Sequence, residues 1–436
     1  MIEVDHGTAG NVPLRMDSQF SRQVELWVHE AVDGGVRTFS ELLVVLPGVY
    51  PTIALAALRR LVGSGTLRPF VLDQILAEVG RPPLTTSRRT YRRTPLPLPH
   101  PLDYEWRFAS AASARLLVEG ARLAVPGQPI ALIGAPSCLW EAHAWSYSHP
   151  LLLLDRNVSV LESLAACTIA SDRLVTCNMH EDPLPDLAVS VVVLDAPWYN
   201  ADMRAFLWAA SRLCQVGGHV IMSLPPVGTR PRIEHDRVDL IGWARAVGLV
   251  LMRIQAATLP YVSPLFERNA LAAEQLYTVP GEWRRGDLAV FGRKDASLPS
   301  RPSVPQRDER WIEESVHRVR FRIKCVEADT NGLGDPTLLS VVTGDILPSV
   351  SRRDPRRNSV DVWTSGNRVF RCPDPHTFAR IVRAVSTGRE ADTEIAAAIG
   401  RRLNGSEAAA VAQATRQVRG IVARECEEAR CIGEEQ

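Results

Sequence analysis

The sequence predicts an α/β protein: a doubly wound parallel sheet in the middle, a winged-helix-like module before it and an α+β region after it. Three observations carry this. Strand-like and helix-like segments alternate from residue 101 to 296, the pattern that right-handed crossovers produce when helices cover both faces of a parallel sheet. Within that stretch two apolar runs end in an acid, LLLLD at Asp155 and VVVLD at Asp195. Two seams rich in proline and arginine, RPPLTTSRRTYRRTPLPLPHP from Arg81 and SLPSRPSVPQRDER from Ser297, set it off from its flanks.

Residues 16–80 come first. SRQVELWVHEAV, FSELLVVL and PTIALAALRRLVGSG form three short amphipathic pieces, the last opened by Pro51 and stopped by Gly63 and Gly65. TLRPFVLDQI after them reads as a small wing. The third piece offers Thr52, Arg59 and Arg60 among alanines and leucines, which is little for reading base edges. The module therefore reads as a homodimer or protein-partner surface ahead of a DNA reader. Residues 81–100 read as a Pro/Arg-rich linker.

Residues 101–296 follow in order. ASAARLLVEGARL is a helix ended by Pro126 and Gly127, and QPIALIGAP is an apolar strand running into a turn. HPLLLLDRN is a second strand, VSVLESLAAC a helix, DRLVTCNMH a strand, and VSVVVLDAPWY the central strand. DMRAFLWAASRLC is a helix closed by Gly217 and Gly218, before the strand HVIMSLP. RVDLIGWARAVGL, LVLMRIQAAT and WRRGDLAVFGRK complete the set as helix, strand and strand. Residues 310–436 carry strand-like FRIKCVEA and SVVTGDILPSV, then a hairpin around Ser365-Gly366-Asn367 and two helices. No chemistry is legible in that region.

A chain of 436 residues accommodates two or three domains. Its formal net charge of +1 supplies no global field toward nucleic acid or membrane. The eight cysteines contain no C-x-x-C pair and no compact Cys/His set, so neither a metal site nor a disulfide framework is expected. MIEVDHGTAG is acidic and polar, unlike a secretory signal, and no apolar run approaches a membrane span. The expectation is a cytoplasmic protein.

In a doubly wound sheet, ligands bind outside the carboxyl ends of the strands. A nucleoside cofactor needs a close backbone approach after the first strand and an acid after the second. Gly134 stands at the first place and Asp155 at the second, although Asp155 would equally cap the next helix. The first turn, IGAPSCLW, is poor in glycine, and Pro136 removes a donor. It suits a cofactor without a pyrophosphate, or none. Asp182, in DPLP, is either a carboxylate for a cofactor base or a solvated loop acid. DAPWY then presents Asp195 to accept an amine N–H, Pro197 to fix the turn, and Trp198 and Tyr199 as faces for a base or an ammonium; the alternative is that Asp195 caps the next helix and the aromatics are core.

With these residues the central domain resembles the class I S-adenosylmethionine-dependent methyltransferases, a Rossmann-like fold, in particular the amino-methyltransferases carrying DPPY or DPPW. Its layout is more closely similar to the branched-chain polyamine synthases, aminopropyltransferases with an N-terminal winged helix, a D-P-L-P loop and a D-P-P-Y tract. The specific part of the likeness spans Asp182 to Gly218. It implies that Asp155 binds the ribose, Asp182 lies near the adenine, and Asp195, Pro197 and Trp198 form the catalytic tract. Two departures stand out: Ala196 replaces the first proline, and IGAP replaces an acidic run after the first strand. The resemblance implies an S-adenosylmethionine-dependent transferase that methylates an amino nitrogen of a small molecule or nucleobase. Aminopropyl transfer to a polyamine is the alternative, and a degenerate scaffold the non-enzyme reading. Phe266, Glu267 and Arg268, in the loop between the last two strands, are either further substrate-contact candidates or part of a packed surface loop. Arg88, Arg89, Arg92 and Arg93 around Tyr91, with Arg352, Arg353, Arg356 and Arg357, are either a phosphate track for nucleic acid or solvated charge.

Overall fold

The computed structural model describes residues 18–431, apart from 78, 80–94, 146, 168, 171–172, 297, 304–309, 326–332 and 353. Four helices come first: α1 (Ser18–Asp33), α2 (Phe39–Val45), α3 (Pro51–Gly63) and α4 (Pro69–Leu76). A capping box starts α2, with Thr38 and Glu41 each accepting the other's amide. The wing expected from TLRPFVLDQI is instead α4. Pro69 at its first position is preorganised for a helix and supplies no strand donor. Val24, Val28, Leu42 and Leu58 bury their side chains together with Leu271, Leu276 and Trp283, so the helices dock on the central sheet unit.

That unit runs β1 (Arg107–Phe108), α5 (Ser110–Leu123), β2 (Ile130–Ile133), α6 (Pro136–Ala144), β3 (Leu151–Asp155), α7 (Val158–Ala166), β4 (Leu174–Thr176) and β5 (Val189–Leu194). It continues with α8 (Asn200–Leu213), β6 (Cys214–Leu224), α9 (Ile233–Ala246), β7 (Leu249–Val262), α10 (Leu265–Ala273) and β8 (Arg285–Arg293). The strand order is β1-β7-β8-β6-β5-β2-β3-β4. Five strands from β4 to β6 are parallel, and β8 returns antiparallel between β6 and β7. The α9 crossover carries β7 one place too far, and β8 fills the gap on its way back. Alternation explains the unbroken apolar runs: Ile130 and Leu132 join one core, Ala131 and Ile133 the core on the opposite face.

Residues 95–100, the described end of the Pro/Arg-rich segment, lie outside helices and strands and are largely buried. Leu96 and Leu98, alternating with prolines, turn inward, and the Leu98 amide donates to the Arg318 carbonyl at 2.8 Å. The last region has an antiparallel sheet ordered β11-β13-β12-β10-β9. Its strands are β9 (Trp311–Val316), β10 (Val319–Lys324), β11 (Leu339–Ser340), β12 (Val362–Thr364) and β13 (Val369–Arg371), packed against α11 (Pro375–Ser386), α12 (Ala391–Ile399) and α13 (Gly405–Cys431). The hairpin around residues 365–367 is the β12–β13 turn, whereas SVVTGDILPSV is mostly turns after the two residues of β11.

Among the described residues, no helix is long and apolar enough to cross a membrane. No cluster of His, Cys, Asp or Glu among them is placed to hold a metal ion.

Candidate functional site

The strand order reverses between β2 and β5, and the carboxyl edge at such a reversal is where doubly wound sheets bind ligands. Gly134 and Asp195 are the residues leaving those two strands. The Asp195 amide donates to the Ile133 carbonyl at 3.0 Å, which extends the ladder past both strand ends. Gly134 has φ +63°, and a Cβ there would lie 2.8 Å from the Asp195 carbonyl oxygen. Only glycine fits this crossing.

The half-buried Asp195 carboxyl accepts a hydrogen bond from the Tyr261 hydroxyl at 2.7 Å, and that hydroxyl shares a second 2.7 Å bond with Ser223 Oγ. Burial pushes Asp195 up to about 8, and the Tyr261 bond only partly opposes it. Pro197 closes a tight turn in which its carbonyl accepts the Tyr199 amide at 2.7 Å. Trp198 stands edge-on to Tyr261 with ring centroids 5.5 Å apart.

Both aromatic faces offered by DAPWY already meet cations of the protein. Arg284 lies 5.1 Å from the Trp198 ring, and Arg352 lies 3.7 Å from Tyr199 and 3.9 Å from Tyr104. Arg352 also pairs with Asp202 at 3.0 Å, and Arg230 donates to the Trp198 carbonyl. The C-terminal region thus delivers Arg352, a residue of the expected arginine track, onto the central tract.

At the next strand end, Asp155 Oδ1 accepts the Asn157 amide at 2.8 Å. The cap of α7 is Asn157, whose side chain accepts from the Val160 amide, so Asp155 is not the helix cap. Burial raises Asp155 to about 6, with Glu105 and Asp103 adding repulsion while the Asn157 amide and Arg156 oppose it. A single acid at this place suits a ribose diol. Asp182 folds back within its own turn and accepts the Asn178 amide at 2.8 Å.

The turn IGAPSCLW shortens to Gly134 and Ala135, because Pro136 begins α6. The Gly134 amide is spent on the Leu154 carbonyl, and the Cys138 amide on Ala135. No row of free amides remains to cradle a pyrophosphate. The donor set fits a nucleoside without phosphates better than a dinucleotide.

Two expectations need correction. Phe266 and Glu267 are buried in α10, Phe266 edge-on to Trp106 and Glu267 beside Tyr50 and Arg284, so they are packed and not exposed for direct contact. Tyr261, at the start of the same segment, is the residue that reaches the site. The expected arginine track is not a free row either: Arg356 pairs with Asp354 at 2.6 Å, and Arg357 covers the Trp363 ring at 4.5 Å. Arg88, Arg89, Tyr91, Arg92, Arg93 and Arg353 lie outside the described residues.

No family model matches the chain, and no curated protein matches it by sequence. Its structure is similar to that of a mutein of the branched-chain polyamine synthase from Thermus thermophilus, in complex with an aminopropylspermidine and methylthioadenosine. The identity is 14%, with 66% of this chain and 95% of that one covered, at a TM-score of 0.51. A second structure of that synthase gives 13% identity over 66% and 95%, at 0.48. A putative RNA methyltransferase from Pyrococcus horikoshii gives 13% over 47% and 95%, at 0.35. At such identities the likeness is one of fold. The chain shares the Rossmann-like fold of this synthase.

Proposed function

We propose that the protein is an S-adenosylmethionine-dependent transferase that methylates an amino nitrogen of a small molecule or nucleobase. The observation that carries this is Asp195: a carboxyl at the topological switch point, pushed up to about 8 by burial and oriented by Tyr261. When bound, S-adenosylmethionine supplies a methyl carbon on a sulfonium leaving group, so the protein's part is chiefly alignment. Asp155 would hold the ribose and the Gly134 crossing would set the floor. Asp182 would stand near the adenine, although its bond to Asn178 makes it first a brace of its own turn. Ionised Asp195 would accept the amine N–H and aim the nitrogen lone pair, then take the proton that the nitrogen releases. A pKa near working pH suits that exchange. Trp198 and Tyr199, backed by Arg284 and Arg352, would wall the substrate, with Pro197 fixing the turn between them and Asp195.

Aminopropyl transfer is the second reading, favoured by the fold shared with the synthase. The guanidinium groups of Arg230, Arg284 and Arg352 around the aromatic tract oppose a polycationic substrate. Product analysis separates the readings. Incubation of the full chain with an amine panel and either S-adenosylmethionine or its decarboxylated form should release S-adenosylhomocysteine, and Asp195→Asn should stop it. Release of methylthioadenosine from the decarboxylated form instead would establish the second reading, and no product from either would leave a scaffold.

A further inference from the structure

Arg284 sits immediately before β8, on the opposite side of Asp195 from Asp155 along the sheet edge. Its carbonyl accepts the Tyr261 amide at 2.9 Å, which fixes its backbone beside the residue that orients Asp195. Its guanidinium is walled by indoles, 4.0 Å from the Trp106 ring, 5.1 Å from Trp198 and 5.4 Å from Trp283. Among the described residues, no carboxylate lies within ion-pair distance of Arg284 and no acceptor takes its N–H groups. The neighbouring arginines differ: Arg352 is paired with Asp202 and Arg230 with Asp236. An acid that acts on Arg284 through space without bonding it is Glu267, whose carboxyl burial pushes up while Arg284 and Tyr50 pull it down. Aromatic faces cover the guanidinium plane but leave its edge donors unspent, and that planar fork matches the oxygens of a carboxylate or phosphate.

On the transferase reading above, we propose that the amine substrate carries an anionic group, a carboxylate or a phosphate, and that Arg284 binds it on the β8 side of Asp195. The nucleophile and the anion are then gripped by two different side chains at one sheet edge. A zwitterionic amine fits this arrangement, and a polyamine does not.

The test follows the indole N–H resonances of the full chain during titration with inorganic phosphate, acetate and spermidine at constant ionic strength. Phosphate or acetate should shift the Trp106, Trp198 and Trp283 signals saturably, with at least a tenfold weaker response in Arg284→Gln and a partial one in Arg284→Lys. Which anion acts identifies the group. Unchanged Trp208 and Trp243 signals report that the variants are folded. Equal responses in wild type and Arg284→Gln, or a response to spermidine alone, would overturn the proposal. So would a tenfold loss of S-adenosylhomocysteine binding in Arg284→Gln, since Arg284 would then hold the cofactor's carboxylate. S-adenosylhomocysteine binding with no anion response sinks the anion site but spares the transferase reading. An anion response without S-adenosylhomocysteine binding does the reverse.

Discussion

Tyr261, at the end of β7, donates its hydroxyl to Asp195, at the end of β5, across the two strands that separate them. Ser223 on β6 meets the same hydroxyl midway. Gly286 on β8 opens the passage: a Cβ there would lie 2.2 Å from Ser223 Oγ and 3.3 Å from the rings of both Tyr261 and Trp198. One missing methyl group thus lets three strands share a single hydrogen-bonded chain.

Gly286→Ala should therefore force Ser223 and the aromatic pair apart. Overpacking of this kind costs about 1–3 kcal/mol. Urea unfolding should show that loss, and a variant as stable as wild type would remove Gly286 from the account.

Tyr261→Phe removes the one hydrogen bond that favours ionised Asp195. Stability should fall by about 1 kcal/mol. On the proposed function, kcat/KM should rise on the alkaline side as Asp195 ionises near pH 8 in the wild type, and that rise should move to higher pH in the variant. A pH profile identical to wild type would show that Asp195 does not govern the rate.

Asp195 also makes stability depend on pH. Its folded value of about 8 lies above the ordinary carboxyl value of 3.8, so the folded state binds the proton more tightly. The neutral form's advantage is complete below pH 3.8 and is lost as pH rises to about 8. The slope approaches about 1.4 kcal/mol per pH unit for this group. Asp195→Asn should flatten it and raise the Tm most near pH 8, at the expense of transfer. Parallel thermal curves for the two proteins from pH 5 to 8 would contradict this.

Arg352→Gln tests the reach of the C-terminal region. It deletes the stack on Tyr104 and Tyr199 and leaves the buried Asp202 with His180 alone. A loss of about 1–3 kcal/mol is expected by thermal or chemical unfolding. KM for the amine should rise more than kcat falls. Unchanged kinetics would confine Arg352 to a structural role.

The features visible in sequence are the local ones. LLLLD and VVVLD announce buried parallel strands and put Asp155 and Asp195 at their ends, because an apolar run stopped by an acid is a short-range signal. What stayed hidden depends on long-range packing. Tyr261, Ser223, Arg284 and Arg352 reach the tract from residues far along the chain, and nothing near DAPWY names them. Local preference misled at three places: Pro69 starts a helix where a wing was expected, Pro136 starts α6 within a presumed turn, and α10 turns Phe266 and Glu267 inward. Asp182 was ambiguous because a turn acid can serve its own backbone as readily as a ligand, and here it bonds the Asn178 amide.

On the proposed function, the edge holding Gly134, Asp155 and Asp195 binds a methyl-donor nucleoside. Calorimetric titration of the full chain with S-adenosylhomocysteine tests it most directly. The account predicts saturable binding that weakens at least tenfold in Asp155→Ala, about 1.4 kcal/mol or more. Absence of binding at millimolar concentration, or equal binding by Asp155→Ala, would contradict it.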